Sequence, residues 1–308
     1  MKNFFTTQIL LLIFSQTVYA KPTVIYGDDN RVEVVNSDNA MFRELAASTA
    51  AMIPPSAIKK MNSSSSSSGG WGGRRQPAPT PTPTETFVIT GPSMIERGMC
   101  SSERFAEQTT AANCSGFLVG EDLLVTAGHC IESAEDCANY KWVFDYKIAS
   151  DGDNMIKVGA DDIYSCASIV ERKLEGYGSA QNDFALIKLD RKVTGRRTLE
   201  YRRSGAPEVN DEIVVIGHPT GLPTKIADGA WIRSLSEMYF SANLDTYGGN
   251  SGSAVFNAST GIIEGILVRG ARDYIHDQSQ NCYVSNQVGD DYGTGEDVTF
   301  ITNIEALK

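Results

Sequence analysis

The sequence predicts an all-β domain, a sandwich or barrel, and three observations carry that expectation. Short apolar runs recur after residue 85, cut apart by Gly, Pro, Asn and Asp: Gly116–Val119, Leu123–Thr126, Lys141–Phe144, Phe184–Leu189, Ile213–Ile216 and Ile262–Val268. No long segment with apolar residues at helical spacing interrupts them. All six cysteines, Cys100, Cys114, Cys130, Cys137, Cys166 and Cys282, lie in this same stretch. An even set in an exported chain argues for disulfides.

Export itself is read from the first twenty residues, MKNFFTTQILLLIFSQTVYA. Lys2 precedes an apolar stretch from Ile9 to Phe14, and Val18 and Ala20 put small residues where a signal peptidase reads. A membrane helix needs roughly 20 apolar residues, and Thr6, Thr7, Gln8, Ser15, Gln16 and Thr17 break this run. Residues 1–20 are therefore expected to be a cleaved secretory signal.

Residues 21–60 follow as a short N-terminal segment, either a propeptide or the first strand of the main domain. Within it Met41–Met52 (MFRELAASTAAM) has helical propensity, though its small residues also permit a strand. Residues 61–85 form a Ser/Gly/Pro/Thr-rich linker or loop insertion; its centre, NSSSSSSGGWGGRRQPAPTPTPT, has nothing to bury. Arg74 and Arg75 offer a cleavage point there. Residues 86–308 make one domain with a large core.

A net charge of −11 disfavours nucleic acid and anionic lipid surfaces as partners. A metal site is disfavoured too, since there is no C-x-x-C pair and the chain has three histidines. Expected partners are protein or peptide substrates, met by a monomer with no membrane attachment once the signal is gone.

Three stretches carry chemistry. LLVTAGHC, residues 123–130, brings a buried strand to His129, beside Cys130. Cys114 and Cys130 flank two strand-like runs, so a bridge between them closes a hairpin-sized loop and fixes the backbone that presents the imidazole. QNDFALI, residues 181–187, starts an apolar strand with Asp183, whose carboxylate needs a partner if buried. DTYGGNSGSAVF, residues 245–256, is turn-forming by composition alone. A base and an orienting acid elsewhere change its meaning, because Ser251 then becomes a hydroxyl that can be activated. Gly249 lets the backbone turn so that the N–H groups of Gly249 and Ser251 converge on one oxyanion.

The order His129, Asp183, Ser251 separates this chain from α/β-hydrolases and subtilisins, and Ser253 breaks a G-x-S-x-G elbow. CSGFLVG with LLVTAGHC, NDFALIKL and DTYGGNSGSAVF resemble the three signatures of chymotrypsin-fold, trypsin-like serine proteases, over roughly residues 86–308. The GNSGS form is similar to the bacterial glutamyl-endopeptidase-type branch, and VIYGDDNR, residues 24–31, resembles that branch's mature N-terminus. The resemblance implies two packed six-stranded antiparallel β-barrels with the active site between them, and no cofactor. It implies His129 as base, Asp183 as orienter and Ser251 as nucleophile of a secreted endopeptidase made as a zymogen. The alternative is an inactive secreted binding module on the same scaffold.

Departures from the family bear on activation and specificity. Asn250 stands where related zymogens carry the aspartate that pairs with a new terminal ammonium. Leu267 stands where glutamyl endopeptidases carry a pocket histidine, whereas Thr246 matches their pocket threonine. Asp245 falls where trypsin-like enzymes hold the acid that selects Lys or Arg; Arg269 and Arg272 would favour an acidic residue instead. The remaining four cysteines allow three pairings, of which 137–166 with 100–282 is preferred for the nearness of 137 and 166. His218 and His276 lack catalytic neighbours, Asp151–Asn154 reads as a turn, and Asn257-Ala258-Ser259 fits a glycosylation sequon.

Overall fold

The computed structural model describes residues 25–61, 85–150, 154–176, 178, 181–270 and 272–308. The expected signal, the centre of the linker with Arg74 and Arg75, and most of the Asp151–Asn154 turn lie outside the described residues.

Twelve strands form two barrels. The first comprises β1 (Thr49–Ile53), β2 (Cys114–Leu118), β3 (Leu123–Thr126), β4 (Lys141–Phe144), β5 (Ile163–Glu175) and β6 (Asn182–Leu189). They close in the order β1-β4-β5-β6-β3-β2, every pairing antiparallel. The second comprises β7 (Glu212–Gly217), β8 (Lys225–Leu235), β9 (Tyr239–Ala242), β10 (Ala254–Asn257), β11 (Ile263–Arg269) and β12 (Glu296–Phe300). It closes in the order β7-β10-β11-β12-β9-β8, again antiparallel throughout. Counted from its own first strand, each barrel has the same circular order. This is the chymotrypsin-like fold.

Why the runs are apolar without alternation is visible in the second barrel. Successive side chains of a strand point to opposite faces. Ile213 and Val215 enter the barrel's own core with Val255 and Leu267, while Val214 and Ile216 turn outward into a cluster shared with the first barrel. Both faces of these strands are dry.

Met41–Met52 is divided between the two conformations open to it. A helix runs from Ala40 to Ala46, with the Asn39 side chain accepting from the N–H groups of Met41 and Phe42. Strand β1 then takes Thr49–Ile53, whose five residues are all buried. Propensity yields here because β1 lies between β2 and β4, which satisfy its backbone on both edges.

Residues 61–85 are spliced between two paired strands. Ile58–Lys60 runs antiparallel to Thr86–Ile89, with Lys60 opposite Phe87, and the Met61 N–H donates to the Thr86 carbonyl at 2.9 Å. The two strand ends that flank residues 62–84 in sequence therefore already lie side by side. Replacing residues 62–84 with a four-residue turn is expected to preserve the fold. Loop-closure entropy predicts a gain of about 1–2 kcal/mol, read by urea unfolding. A variant that fails to fold would contradict this placement.

Three disulfides are present: Cys114–Cys130, Cys137–Cys166 and Cys100–Cys282. The last ties a loop of the first half to the Cys282–Ser285 strand of the second.

Candidate active site

Strand β3 ends at Thr126, and three residues later His129 stands at the edge of the first barrel, with its side chain 33 % exposed. Strand β6 begins with Asn182 and Asp183, both buried. Asp183 Oδ2 lies 2.7 Å from His129 Nδ1, and its Oδ1 accepts from the N–H groups of Gly128 at 2.6 Å and His129 at 3.1 Å. A carboxylate at Nδ1 places the proton there and leaves Nε2 as the basic nitrogen. Arg172 holds the other side of the turn by donating from Nε to the Gly128 carbonyl at 2.8 Å.

Ser251 comes from the other barrel, in the loop between β9 and β10. Its carbonyl accepts from Ser115 N–H at 2.8 Å and lies 3.7 Å from Cys130 Sγ. The serine loop is thereby seated against the residue that follows His129. Two glycines give the loop its path: Gly249 at φ 97° and Gly252 at φ 86°. A Cβ on Gly249 would come 2.5 Å from the His218 carbonyl oxygen, and one on Gly252 would come 2.1 Å from that of Ser115. Among the described residues, the N–H groups of Gly249 and Ser251 donate to no protein acceptor. They are free to serve an oxyanion.

Ser115 is a residue that motif reading passed over. Fully buried, it donates from Oγ to the Gly249 carbonyl at 2.8 Å and accepts from His218 N–H at 3.0 Å. The only clue in sequence is its place next to Cys114.

A pocket opens beside Ser251, lined in part by Thr246, Leu267, Arg269, Asp273 and Glu296. Asp245 is not in its lining, in contrast to the expected role. Its carboxylate accepts from Tyr26 N–H at 2.8 Å and Asn30 N–H at 2.9 Å, turning toward the N-terminal segment. That segment is built in. Arg31, 1 % exposed, donates to Asp29 and stacks over the Tyr247 ring at 4.3 Å, and Arg31–Glu33 pairs with Lys225–Ala227 of β8.

Burial pushes the Asp245 carboxyl up to about 7, more than its two N–H donors hold it down. An acid with a raised folded pKa takes up protons on folding. Stability is therefore expected to fall as pH rises from about 4 to about 7, by at most about 1.4 kcal/mol per pH unit, and then to level off. Asp245→Asn should flatten that window in urea titrations at pH 5 and pH 8. An unchanged slope would assign the effect to other groups.

The remaining candidates separate from the site. Leu267 and Thr246 reach the pocket, whereas Arg272 lines a neighbouring open cleft with His276 and Tyr283. His218 is buried, its Nδ1 3.1 Å from the Leu222 carbonyl oxygen, and desolvation drives its pKa down to about 3, so it stays neutral. Asn250 is buried, and its Oδ1 accepts from the Ser253 hydroxyl at 3.1 Å. Cys114, His129 and Cys130 cluster within 4.8 Å, but the two sulfurs are bonded to each other and cannot act as thiolate ligands. The Asn257 side chain accepts from Ser259 and Thr260 N–H, an Asx turn.

Residues 114–266 match the family model of the trypsin-like peptidase domain. A similar protein from Plasmopara viticola, named secreted RxLR effector protein 73, is 28 % identical over 159 residues, covering 47 % of this chain and 38 % of that protein. Another, the uncharacterized protein y4fB of Sinorhizobium fredii (strain NBRC 101917 / NGR234), is 24 % identical over 192 residues, covering 53 % of this chain and 27 % of that one. The chain spans less than half the length of either relative.

Proposed function

We propose that this chain, which carries a trypsin-like peptidase domain, is a secreted serine endopeptidase working through His129, Asp183 and Ser251. The observation that carries the reading is the Asp183 carboxylate, with one oxygen on His129 Nδ1 and the other on two backbone N–H groups, beside the loop that bears Ser251. A merely solvated aspartate at a strand end has no need of three such contacts.

In the reaction, His129 Nε2 takes the Ser251 proton as Oγ attacks the scissile carbonyl. The N–H groups of Gly249 and Ser251 stabilise the tetrahedral oxyanion. His129 then protonates the leaving amine, giving an acyl-enzyme, and water activated by the same nitrogen releases the acid product. Asp183 keeps the ring in the required tautomer throughout.

Secretion is supported by the leader-like first twenty residues, by three disulfides and by the word "secreted" in the name of the Plasmopara relative. The mature chain retains residues from about 25 onward, because this segment is integral to both barrels.

A fluorophosphonate probe tests the reading directly, since only an activated serine reacts. Stoichiometric labelling at Ser251, located by peptide mapping, is expected. A folded protein that stays unlabelled would instead be a binding module on a peptidase scaffold.

A further inference from the structure

Between β11 and β12 the chain leaves the second barrel for a hairpin, in which Tyr274–Asp277 pairs antiparallel with Cys282–Ser285. None of the residues in its two arms is fully buried, and none belongs to the core of either barrel. A two-stranded hairpin is marginally stable in water by itself, yet this one is fastened at several points. Cys282 is bonded to Cys100, Cys100 N–H donates to the Tyr283 carbonyl at 2.9 Å, and Tyr283 N–H donates to the Gly98 carbonyl at 3.0 Å. Ser285 N–H donates to Glu103 at 3.1 Å, and at the root Tyr274 stacks on Tyr247 with ring centres 4.9 Å apart. Core packing does not account for an element held this firmly.

The backbone fastening uses one edge only. Asn286 N–H donates to the Asp273 carbonyl at 3.1 Å, so residues 273 and 275 bond across to the second arm. The alternation then turns the N–H and C=O groups of Tyr274 and His276 outward. Among the described residues no protein group pairs with these four. Ile275 and His276 are exposed, and no proline, lysine or bulge guards this arm. An open edge of this kind accepts an extended peptide as a further strand.

Beside that edge lies an open cleft of about 740 Å³, lined by Met99, Arg272, Asp273, Tyr274, His276 and Tyr283. Asp273 also lines the pocket next to Ser251, so the two spaces adjoin, and its carboxylate is taken up there by Gly248 N–H at 2.8 Å. Arg272 is exposed and carries no ion pair among the described residues. In a chain of net charge −11 it gives the cleft a fixed cation. Met99 and the rings of His276 and Tyr283, with centres 5.0 Å apart, supply apolar surface. A strand added to Tyr274–Asp277 sends alternate side chains into this cleft, where a carboxylate meets Arg272.

We propose that the hairpin is an exosite, which binds an extended acidic segment of a protein substrate as a third strand on Tyr274–Asp277. Alternate side chains of that segment enter the cleft, and one of its carboxylates pairs with Arg272. This inference rests on the serine-peptidase reading but concerns a surface outside the pocket that meets the scissile residue. The shared Asp273 argues for a substrate as the occupant, because a chain lying in the cleft ends beside Ser251.

Binding is measured on full-length secreted Ser251→Ala by fluorescence anisotropy. The probes are a short fluorescein-labelled peptide of alternating Glu and Val and its Lys–Val counterpart. The Glu peptide is expected to bind about tenfold tighter, the size of one charge-assisted hydrogen bond. Arg272→Glu should reverse the preference. His276→Pro removes an N–H that the hairpin itself does not use and should weaken binding about fivefold, whereas His276→Ala keeps that N–H and should recover most of the loss. Circular dichroism confirms that each variant folds.

In the active protein, His276→Pro should raise KM for β-casein, a disordered acidic protein, about fivefold at unchanged kcat. Hydrolysis of a tripeptide amide, too short to reach the hairpin, should not change. Equal binding of the Glu and Lys peptides, or a loss in His276→Ala as large as in His276→Pro, overturns the proposal. So does a dimer in sedimentation that His276→Pro dissolves, since the edge would then hold a second copy of this chain. Fluorophosphonate labelling of Ser251 with the casein KM unmoved overturns the exosite alone. Peptide binding without labelling overturns the serine-peptidase reading, and the substrate role with it.

Discussion

Ser251→Ala lowers peptide hydrolysis on the order of 10⁶-fold, and His129→Ala lowers it comparably, because members of such a triad act as one unit. Without the hydroxyl there is no acyl-enzyme. Without the imidazole the hydroxyl keeps its proton. The residual rate in Ser251→Ala comes from binding and from the oxyanion donors, Gly249 and Ser251 N–H, which the substitution leaves in place. The loop itself should survive, since its seat on the first barrel uses the residue 251 carbonyl and not the side chain. The check is kcat/KM for a peptide substrate together with the thermal midpoint of each variant. Retention of more than a few per cent of activity in Ser251→Ala, on protein free of other peptidases, would remove Ser251 from the mechanism.

Removal of residues 1–75 is expected to prevent folding outright. Strand β1 sits between β2 and β4, paired with both, and all five of its residues are buried. Its loss opens the first barrel along two edges. The same deletion takes away Glu33, the carboxylate at 3.0 Å from the buried Nζ of Lys225. Breaking a buried pair of this kind costs about 3–5 kcal/mol, and total stabilities are only about 5–15 kcal/mol. Burial already draws Lys225 down to about 8, so little reserve exists to keep that ammonium charged alone. The measurement is soluble yield and fluorophosphonate labelling for chains begun at Ile25 and at residue 76. A chain begun at residue 76 that folds and labels would restore the propeptide reading. Cutting near Arg74 is a different event, since both pieces remain packed together. No cysteine precedes Cys100, so a denaturing gel would then separate two fragments without reduction.

Much of the candidate site was legible because its chemistry is local. His129, Asp183 and Ser251 each sit in a short stretch whose glycines, small residues and flanking strand are dictated by the immediate backbone. The fold class was legible for the same reason, as turn residues and apolar runs are near-neighbour signals. Glu296 was not: this lining residue of the pocket beside Ser251 stands in an unremarkable GEDVTF. Nothing near it in sequence marks it as a pocket residue, and only the pairing of β11 with β12 and the missing side chain of Gly270 put it there. Asp245 failed as a pocket acid for the converse reason. Its position along the chain suits that role, but its oxygens face Tyr26 and Asn30, which are more than two hundred residues away in sequence.

The identical strand order of the two barrels divides sequence from structure most clearly. Each strand's burial pattern is a property of a few consecutive side chains, so IVVI and FALI announce buried strands by themselves. Which strands close a barrel together is set by long-range backbone pairing, which leaves no repeated residues to recognise. The N-terminal segment shows the same division. Its residues allowed helix or strand and could have been discarded with a propeptide. Two vacant barrel edges, and a buried lysine needing a carboxylate, are what make residues 25–53 part of the folded protein.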